Sequence, residues 1–147
     1  MTNYRVFAGL VPGLLVLGFV QACSEQFDPW HEDANTGRWY TQALVVQGQQ
    51  VYQSHCANCH GAKAEATPQW IKPDADGLYP PPPLNGTAHA WHHPFPMLKK
   101  TINEGTTGRM PAWQNKLSDQ EVDAVIAWFQ SLWPDQGYLI WQRRHKH

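Results

Sequence analysis

The sequence has little net charge, few cysteines and no sustained pattern of regular structure. Its 11 basic and 12 acidic side chains in 147 residues leave a formal net charge of −1, so no basic field favours nucleic acid as a partner. The three cysteines lack the second pair that structural zinc sites commonly use. Helical periodicity is confined to short segments, which predicts one small domain with appendages.

Tryptophan and proline are abundant instead. Eight tryptophans are many for a chain of this length, and twelve prolines predict long stretches without regular structure. A small domain with few helices has difficulty building a sufficient core from its side chains alone. This composition is compatible with a domain that is completed by a large apolar cofactor.

The sharpest chemical signal is the run Cys56-Ala57-Asn58-Cys59-His60. A C-x-x-C-H run is typical of c-type haem attachment, because two thiols on one turn of chain can each add to a vinyl group of the same porphyrin. A thioredoxin-like redox motif would need a βαβ setting that the sequence lacks, and a strained two-residue disulfide would leave His60 unexplained. We predict one covalently bound haem c, with Cys56 and Cys59 as thioethers and His60 as the proximal iron ligand.

Residues 1–22 have the features of an export signal, with one positive charge before an apolar run. The run ends Val20-Gln21-Ala22-Cys23, which resembles the lipobox of bacterial lipoproteins and implies lipidation at Cys23. An uncleaved membrane helix from Val6 to Ala22 and a plain secretory signal are the alternatives. Each places the haem outside the cytoplasm. We predict an exported protein that is lipid-anchored at the periplasmic face of a bacterial membrane.

Two segments are predicted to flank the domain. Residues 23–41 form an N-terminal tether, although Trp30 and Trp39 suit a solvated linker poorly and place part of it on the domain or near the lipid surface. Residues 137–147 form a basic C-terminal tail, which is solvated or contacts an acidic partner or anionic lipid.

Two amphipathic segments predict the main helices. One begins at Thr41, and Gly48 near its centre indicates close approach by another helix. The other begins with a capping box, in which Ser118 is the N-cap and Glu121 the third helical residue, and Pro134 ends it. Its apolar stripe comprises Val122, Val125, Ile126, Phe129 and Trp133.

Together with the haem motif, these helices resemble class I cytochromes c over about residues 42–134, within a domain predicted to span 42–136. The resemblance implies an all-α fold of three to four short helices and long loops around one haem. It also implies a crossing of the first and last helices, with Trp128 or Phe129 as the aromatic residue at that crossing.

The same family usually supplies the second axial ligand from a methionine before the last helix. Here Gly108-Arg109-Met110-Pro111-Ala112-Trp113 is similar to its G-x-M-P-x-aromatic signature, which implies Met110 as the distal iron ligand. A thioether favours ferrous iron and raises the reduction potential. The alternatives are Met97, predicted to be a core residue of a helix that begins near Pro96, and histidines that would lower the potential. These histidines are His55, His89, His92 and His93.

The proline run before Leu84 also matches the family. The resemblance implies that the carbonyl of Pro82 or Pro83 accepts the proximal imidazole N–H, while Leu84 packs on the porphyrin. The three histidines at 89, 92 and 93 are predicted to pack on the surface beside Trp91, with a weak copper or zinc site as the alternative.

These features predict a one-electron carrier in an exported, membrane-associated electron-transfer chain. Two axial protein ligands leave no iron position for a small-molecule substrate, so the expected partners are redox proteins that bind transiently. The alternatives are an electron-transfer subunit of a larger oxidoreductase, and a haem peroxidase if Met110 leaves the sixth position labile.

Overall fold

A computed structural model describes residues 33–145. The predicted signal, the lipidation site at Cys23 and Trp30 lie outside the described residues. Within 33–145 the chain forms helices and loops without strands. The helices are α1 (Gln42–His55), α2 (Ala57–His60), a 3₁₀ turn (Ala90–His92), α3 (Phe95–Glu104), α4 (Asp119–Ser131) and α5 (Asp135–His145). None of these helices has the length and apolar character needed to cross a bilayer.

The predicted helix starts are confirmed at α1 and α4. Thr41 caps α1, its hydroxyl accepting the N–H of Leu44 at 3.3 Å. Ser118 caps α4 through a full capping box, in which its hydroxyl accepts the N–H of Glu121 at 3.3 Å and the Glu121 carboxylate accepts the N–H of Ser118 at 2.8 Å. These bonds satisfy helix N–H groups that would otherwise lack partners.

The predicted crossing of α1 with α4 is confirmed, and Trp128 is its aromatic residue. Gly48 packs directly on α4: a Cβ built on it would lie 1.8 Å from the Ala124 carbonyl oxygen. The Tyr52 ring lies 4.0 Å from the Trp128 ring, centroid to centroid, and Tyr52 is fully buried. Phe129 instead contacts Trp133, at 6.2 Å.

The prediction that Met97 is a core residue is wrong. On α3 the side chains of Phe95, Leu98 and Ile102 are buried, whereas Met97 is 49% exposed. These buried residues stand at positions i, i+3 and i+7, on one face of the helix, and Met97 lies outside that face.

Of the described residues, the end of the predicted tether and most of the predicted tail pack against the domain. Trp39 and Tyr40, at the end of the predicted tether, are buried, and the Trp39 indole donates to Gln130 at 2.6 Å. The predicted tail forms most of α5, which buries Tyr138 and Trp141, while Arg143 and Arg144 at its end are exposed. Aromatic burial outweighs the polar character of both segments.

Candidate haem site

The attachment motif occupies the corner between α1 and α2. Helix α1 ends at His55, Cys56 joins the two helices, and α2 is a single turn that ends at His60. The N–H of His60 donates to the Cys56 carbonyl at 3.0 Å, which keeps the motif in one compact turn. Cys59 is exposed and Cys56 is half-buried, and no disulfide joins them.

The protonation of Cys56 argues against a redox-active thiol pair. Burial, and then the neighbouring Cys59, raise the pKa of Cys56 to about 11. A reactive redox cysteine needs a lowered pKa, because the thiolate is the nucleophile. Cys56 is therefore poorly suited to act as the attacking thiolate of thiol–disulfide exchange.

His60 is held in the orientation that a metal ligand requires. Its ring is buried, and its Nδ1 lies 3.0 Å from the Pro82 carbonyl, an acceptor, so Nδ1 carries the proton. Burial lowers the pKa of His60, while the Pro82 contact opposes that shift. The ring is therefore neutral, and Nε2 keeps a lone pair that could bind a metal ion.

Pro82, rather than Pro83, supplies this carbonyl because of how the proline run is anchored. The N–H of Leu84 donates to the Ala64 carbonyl at 2.8 Å, and the Trp133 indole donates to the Leu84 carbonyl at 2.7 Å. Leu84 is half-buried against the core. Ala64 is fully buried with φ +57°, a left-handed conformation that is uncommon outside glycine and that closes this tight loop.

Met110 lies in a loop between α3 and α4. It is half-buried and packs against the core, as does Trp113. Gly105, which follows α3, has φ +73°, and a Cβ there would lie 2.6 Å from the Met110 carbonyl oxygen. The loop therefore turns sharply after α3 and brings Met110 towards the core.

The four histidines considered as alternative ligands, His55, His89, His92 and His93, each lie beside another ring. His55 is exposed, 5.3 Å from the Trp113 ring, and the His92 ring lies 4.0 Å from Trp91. His89 and His93 contact each other at 5.7 Å. Over residues 33–145, no three His, Cys, Asp or Glu side chains form a group that could hold a metal ion, so the alternative of a copper or zinc site at 89–93 is not supported.

Two contacts that shape this region have no signature in the sequence. The Trp133 indole holds Leu84 from 49 residues away, and Arg109 pairs with Asp74 from 35 residues away. A tryptophan and an Arg–Asp pair are too common for their spacing to predict such contacts.

These residues fit a covalently bound haem. Two thiols lie on one turn, followed by a neutral imidazole whose Nδ1 is hydrogen-bonded and whose Nε2 can bind iron.

Comparison with known families agrees. Residues 43–129, more than half of the chain, match the family model "Cytochrome C oxidase, cbb3-type, subunit III". The chain belongs to this family.

Individual relatives extend the comparison. Over 88 residues the chain is 30% identical to "Cbb3-type cytochrome c oxidase subunit CcoP" of Azospirillum sp. (strain B510), covering 60% of this chain and 28% of the relative. Over 90 residues it is 33% identical to subunit FixP of Rhizobium meliloti (strain 1021), again covering 60% and 28%. The chain thus spans less than a third of the length of these relatives.

A solved structure supports the fold. Cytochrome cL from the marine methylotrophic bacterium Methylophaga aminisulfidivorans MPT is 21% identical, with a TM-score of 0.51 over 68% of this chain and 61% of that one. The family and the fold make this a class I monohaem c-type cytochrome domain: all-α, with covalently bound haem c, and a carrier of electrons.

Proposed function

We propose that this cytochrome domain is a one-electron carrier with His60 and Met110 as axial ligands of its haem iron. Bound haem c supplies the one-electron ferric–ferrous couple. The observation that carries the proposal is the buried, neutral His60 beside the paired thiols, with its Nδ1 held by Pro82. This bond fixes the ring and makes Nε2 a stronger donor.

The other residues attach the haem and close the site. Cys56 and Cys59 form the thioether bonds, and Leu84 packs beside the haem. Met110 fills the distal position with an uncharged sulfur, which raises the reduction potential and excludes a small-molecule substrate. With both axial positions filled, the domain passes electrons to and from other redox proteins and does not itself transform a substrate.

The protein is exported and acts at a membrane. This part of the proposal rests on the export-type sequence of residues 1–22, on the lipobox-like Val20–Cys23 and on the haem c that the family implies. A lipid anchor at Cys23 would hold the domain at the periplasmic face and raise the local concentration of membrane-bound partners.

Met110→Ala tests the distal ligand. The ferric protein should show a weak absorption band at the red end of the visible spectrum, arising from sulfur on iron, and the variant should lose it. Met97→Ala is the matched control, because Met97 is exposed on α3 and should leave the band intact. A native spectrum without the band would contradict methionine ligation and favour a histidine or an open position.

A second candidate function is that of an electron-transfer subunit in a larger oxidoreductase. The observation that favours it is the similarity of the chain to subunits of cbb3-type cytochrome c oxidases. Haem-stained native gels of solubilised membranes distinguish the two functions, since a carrier migrates alone and a subunit migrates with the catalytic subunit of the oxidase.

A further inference from the structure

The loop that carries Met110 is attached on one side to the end of α3. The N–H of Thr106 donates to the Met110 carbonyl at 3.1 Å. The N–H of Trp113 donates to two carbonyls in the last turn of α3, at 3.1 and 3.2 Å. The first contact closes the loop on itself, and the other two fix its far end to α3.

A second attachment runs through Arg109, the residue before Met110. Its Nη2 pairs with Asp74 Oδ2 and lies 3.1 Å from Asp76 Oδ2. Asp74 is itself fixed, because its Oδ1 accepts the N–H groups of Asp76 at 2.9 Å and of Leu78 at 3.1 Å. The hydrogen bond from Leu78, followed by those from Asp76 and Arg109, lowers the pKa of Asp74 and keeps it ionised. Arg109 therefore meets one carboxylate that backbone hydrogen bonds hold in place, Asp74, and a second, exposed one, Asp76.

The turn at 74–78 belongs to the loop that also supplies Pro82. That loop leaves α2 at Gly61 and continues to the carbonyl that accepts the Nδ1–H of His60. Arg109 thus joins the loop that carries Met110 to the loop that orients His60. Its two partners, Asp74 and Asp76, lie 35 and 33 residues earlier in the sequence.

We propose that Arg109, paired with Asp74 and Asp76, is a positioning residue that keeps Met110 on the iron. The inference rests on the proposed ligation by Met110. Because the Arg109 side chain is 51% exposed, the pairing is of the weak, solvent-screened kind. Its loss should shift the balance between bound and displaced Met110 by about two- to fivefold, and less at high salt.

Competition with imidazole measures this balance in the ferric holoprotein, because imidazole displaces the methionine and abolishes the red band. Arg109→Gln and Asp76→Asn change the net charge in opposite directions. A general electrostatic effect on the iron would therefore shift their imidazole affinities in opposite directions. Loss of the pairing should tighten imidazole binding by about two- to fivefold in Arg109→Gln and by less in Asp76→Asn, because Asp74 still pairs with Arg109 there, and the double variant should bind no more tightly than Arg109→Gln alone.

Lys100→Gln is the matched control. It removes one positive charge and breaks the exposed Lys100–Glu104 pair within α3, 3.8 Å apart, and should leave imidazole affinity unchanged. Raising the salt concentration should bring the imidazole affinity of the native protein closer to that of Arg109→Gln, because salt screens the ion pair.

The possible failures are distinguishable. Opposite shifts in the two single variants, additive shifts, or unchanged affinity in Arg109→Gln would overturn the role of Arg109 alone, provided that Met110→Ala removes the red band. A native spectrum that lacks the band, or that Met110→Ala leaves unchanged, would overturn the ligation by Met110 and this inference with it.

Discussion

Asp123 is a carboxylate enclosed by the packing of α3 on α4, with only 3% of its side chain exposed. Lys99 Nζ lies 2.9 Å from its Oδ1, and the contact is ionic rather than a well-aligned hydrogen bond. Burial raises the pKa of Asp123, while Lys99 opposes the shift. Lys99 is itself a quarter exposed, so the two partners differ in their access to water.

Replacing Lys99 by methionine should leave a buried carboxylate without its cation and lower the free energy of unfolding by about 3 kcal/mol at neutral pH. An acid whose folded pKa is raised contributes most stability below its unfolded pKa and loses it as the pH rises through the folded value. The variant, in which the pKa of Asp123 is higher still, should therefore recover most of the loss by about pH 4. Urea unfolding of the holoprotein at both pH values measures this.

Asp123→Asn is the complementary substitution to Lys99→Met, because it changes the other partner of the pair. It removes the buried charge and leaves Lys99, whose ammonium group can reach water, so it should cost less than Lys99→Met at neutral pH. A larger cost for Asp123→Asn, or a Lys99→Met loss that persists at low pH, would contradict the account.

Some candidate residues could be named from the sequence alone because they are close together in the chain. The C-x-x-C-H run is of this kind, since its spacing is typical of haem attachment. The proline run is different: the sequence leaves two carbonyls open for His60, and long-range hydrogen bonds at Leu84 select Pro82. The prediction for Met97 was wrong because its position on α3 lies beside the face that buries Phe95, Leu98 and Ile102, and not within it.

At the scale of elements, α1 and α4 were predictable because their start signals are local. A capping hydroxyl and an apolar stripe lie within a few residues of each other, and both helices begin where these signals place them. Helix α5 lacks such signals. Its buried residues, Tyr138 and Trp141, are separated by exposed Leu139 and followed by basic side chains. We infer that α5 is stabilised as a helix mainly by the packing of Tyr138 and Trp141 against the rest of the domain.

Gly48→Ala tests the contact between α1 and α4. The added Cβ would lie 1.8 Å from the Ala124 carbonyl oxygen and 2.9 Å from the Trp128 Cβ, and backbone atoms cannot yield cheaply. We expect the free energy of unfolding to fall by about 2 kcal/mol or more, despite the better helix propensity of alanine. Thermal unfolding of the holoprotein measures this.

Gly137→Ala in α5 is the matched control for that substitution. Nothing lies within 4 Å of the position where its Cβ would be, so the same change should be neutral or stabilising by about 0.5–1 kcal/mol. Equal effects at the two glycines would show that α1 and α4 do not pack as closely as described.

At the scale of the molecule, the chain segment before α1 and helix α5 close over the end of α4. The N–H of Trp39 donates to the Tyr138 hydroxyl at 3.1 Å. Arg38 pairs with Asp135 at 2.7 Å, and its guanidinium lies 4.2 Å from the Tyr138 ring centroid. These contacts join residues about a hundred positions apart, so the sequence could suggest through Trp39 that part of the tether lies on the domain, but no local pattern could have predicted that it meets α5 there.

If α5 is an integral part of the domain, removing its buried anchor should destabilise the whole molecule. Trp141 is 3% exposed, and its indole donates to the His93 carbonyl at 2.9 Å, so Trp141→Ala should lower the free energy of unfolding by about 3 kcal/mol. Leu139→Ala, in the same helix at a side chain 53% exposed, should stay within about 0.5 kcal/mol of the native protein.

Urea unfolding followed by two probes separates an integral helix from an appendage. Tryptophan fluorescence, which bound haem quenches, reports on the separation of the tryptophans from the haem, including Trp39 and Trp133 beside α5, and haem absorption reports on the iron site. In one cooperative unit, Trp141→Ala moves both transitions together to lower urea. A haem transition that stays at the native midpoint while the fluorescence transition shifts would show that α5 unfolds separately, and that the cytochrome domain retains its haem site without it.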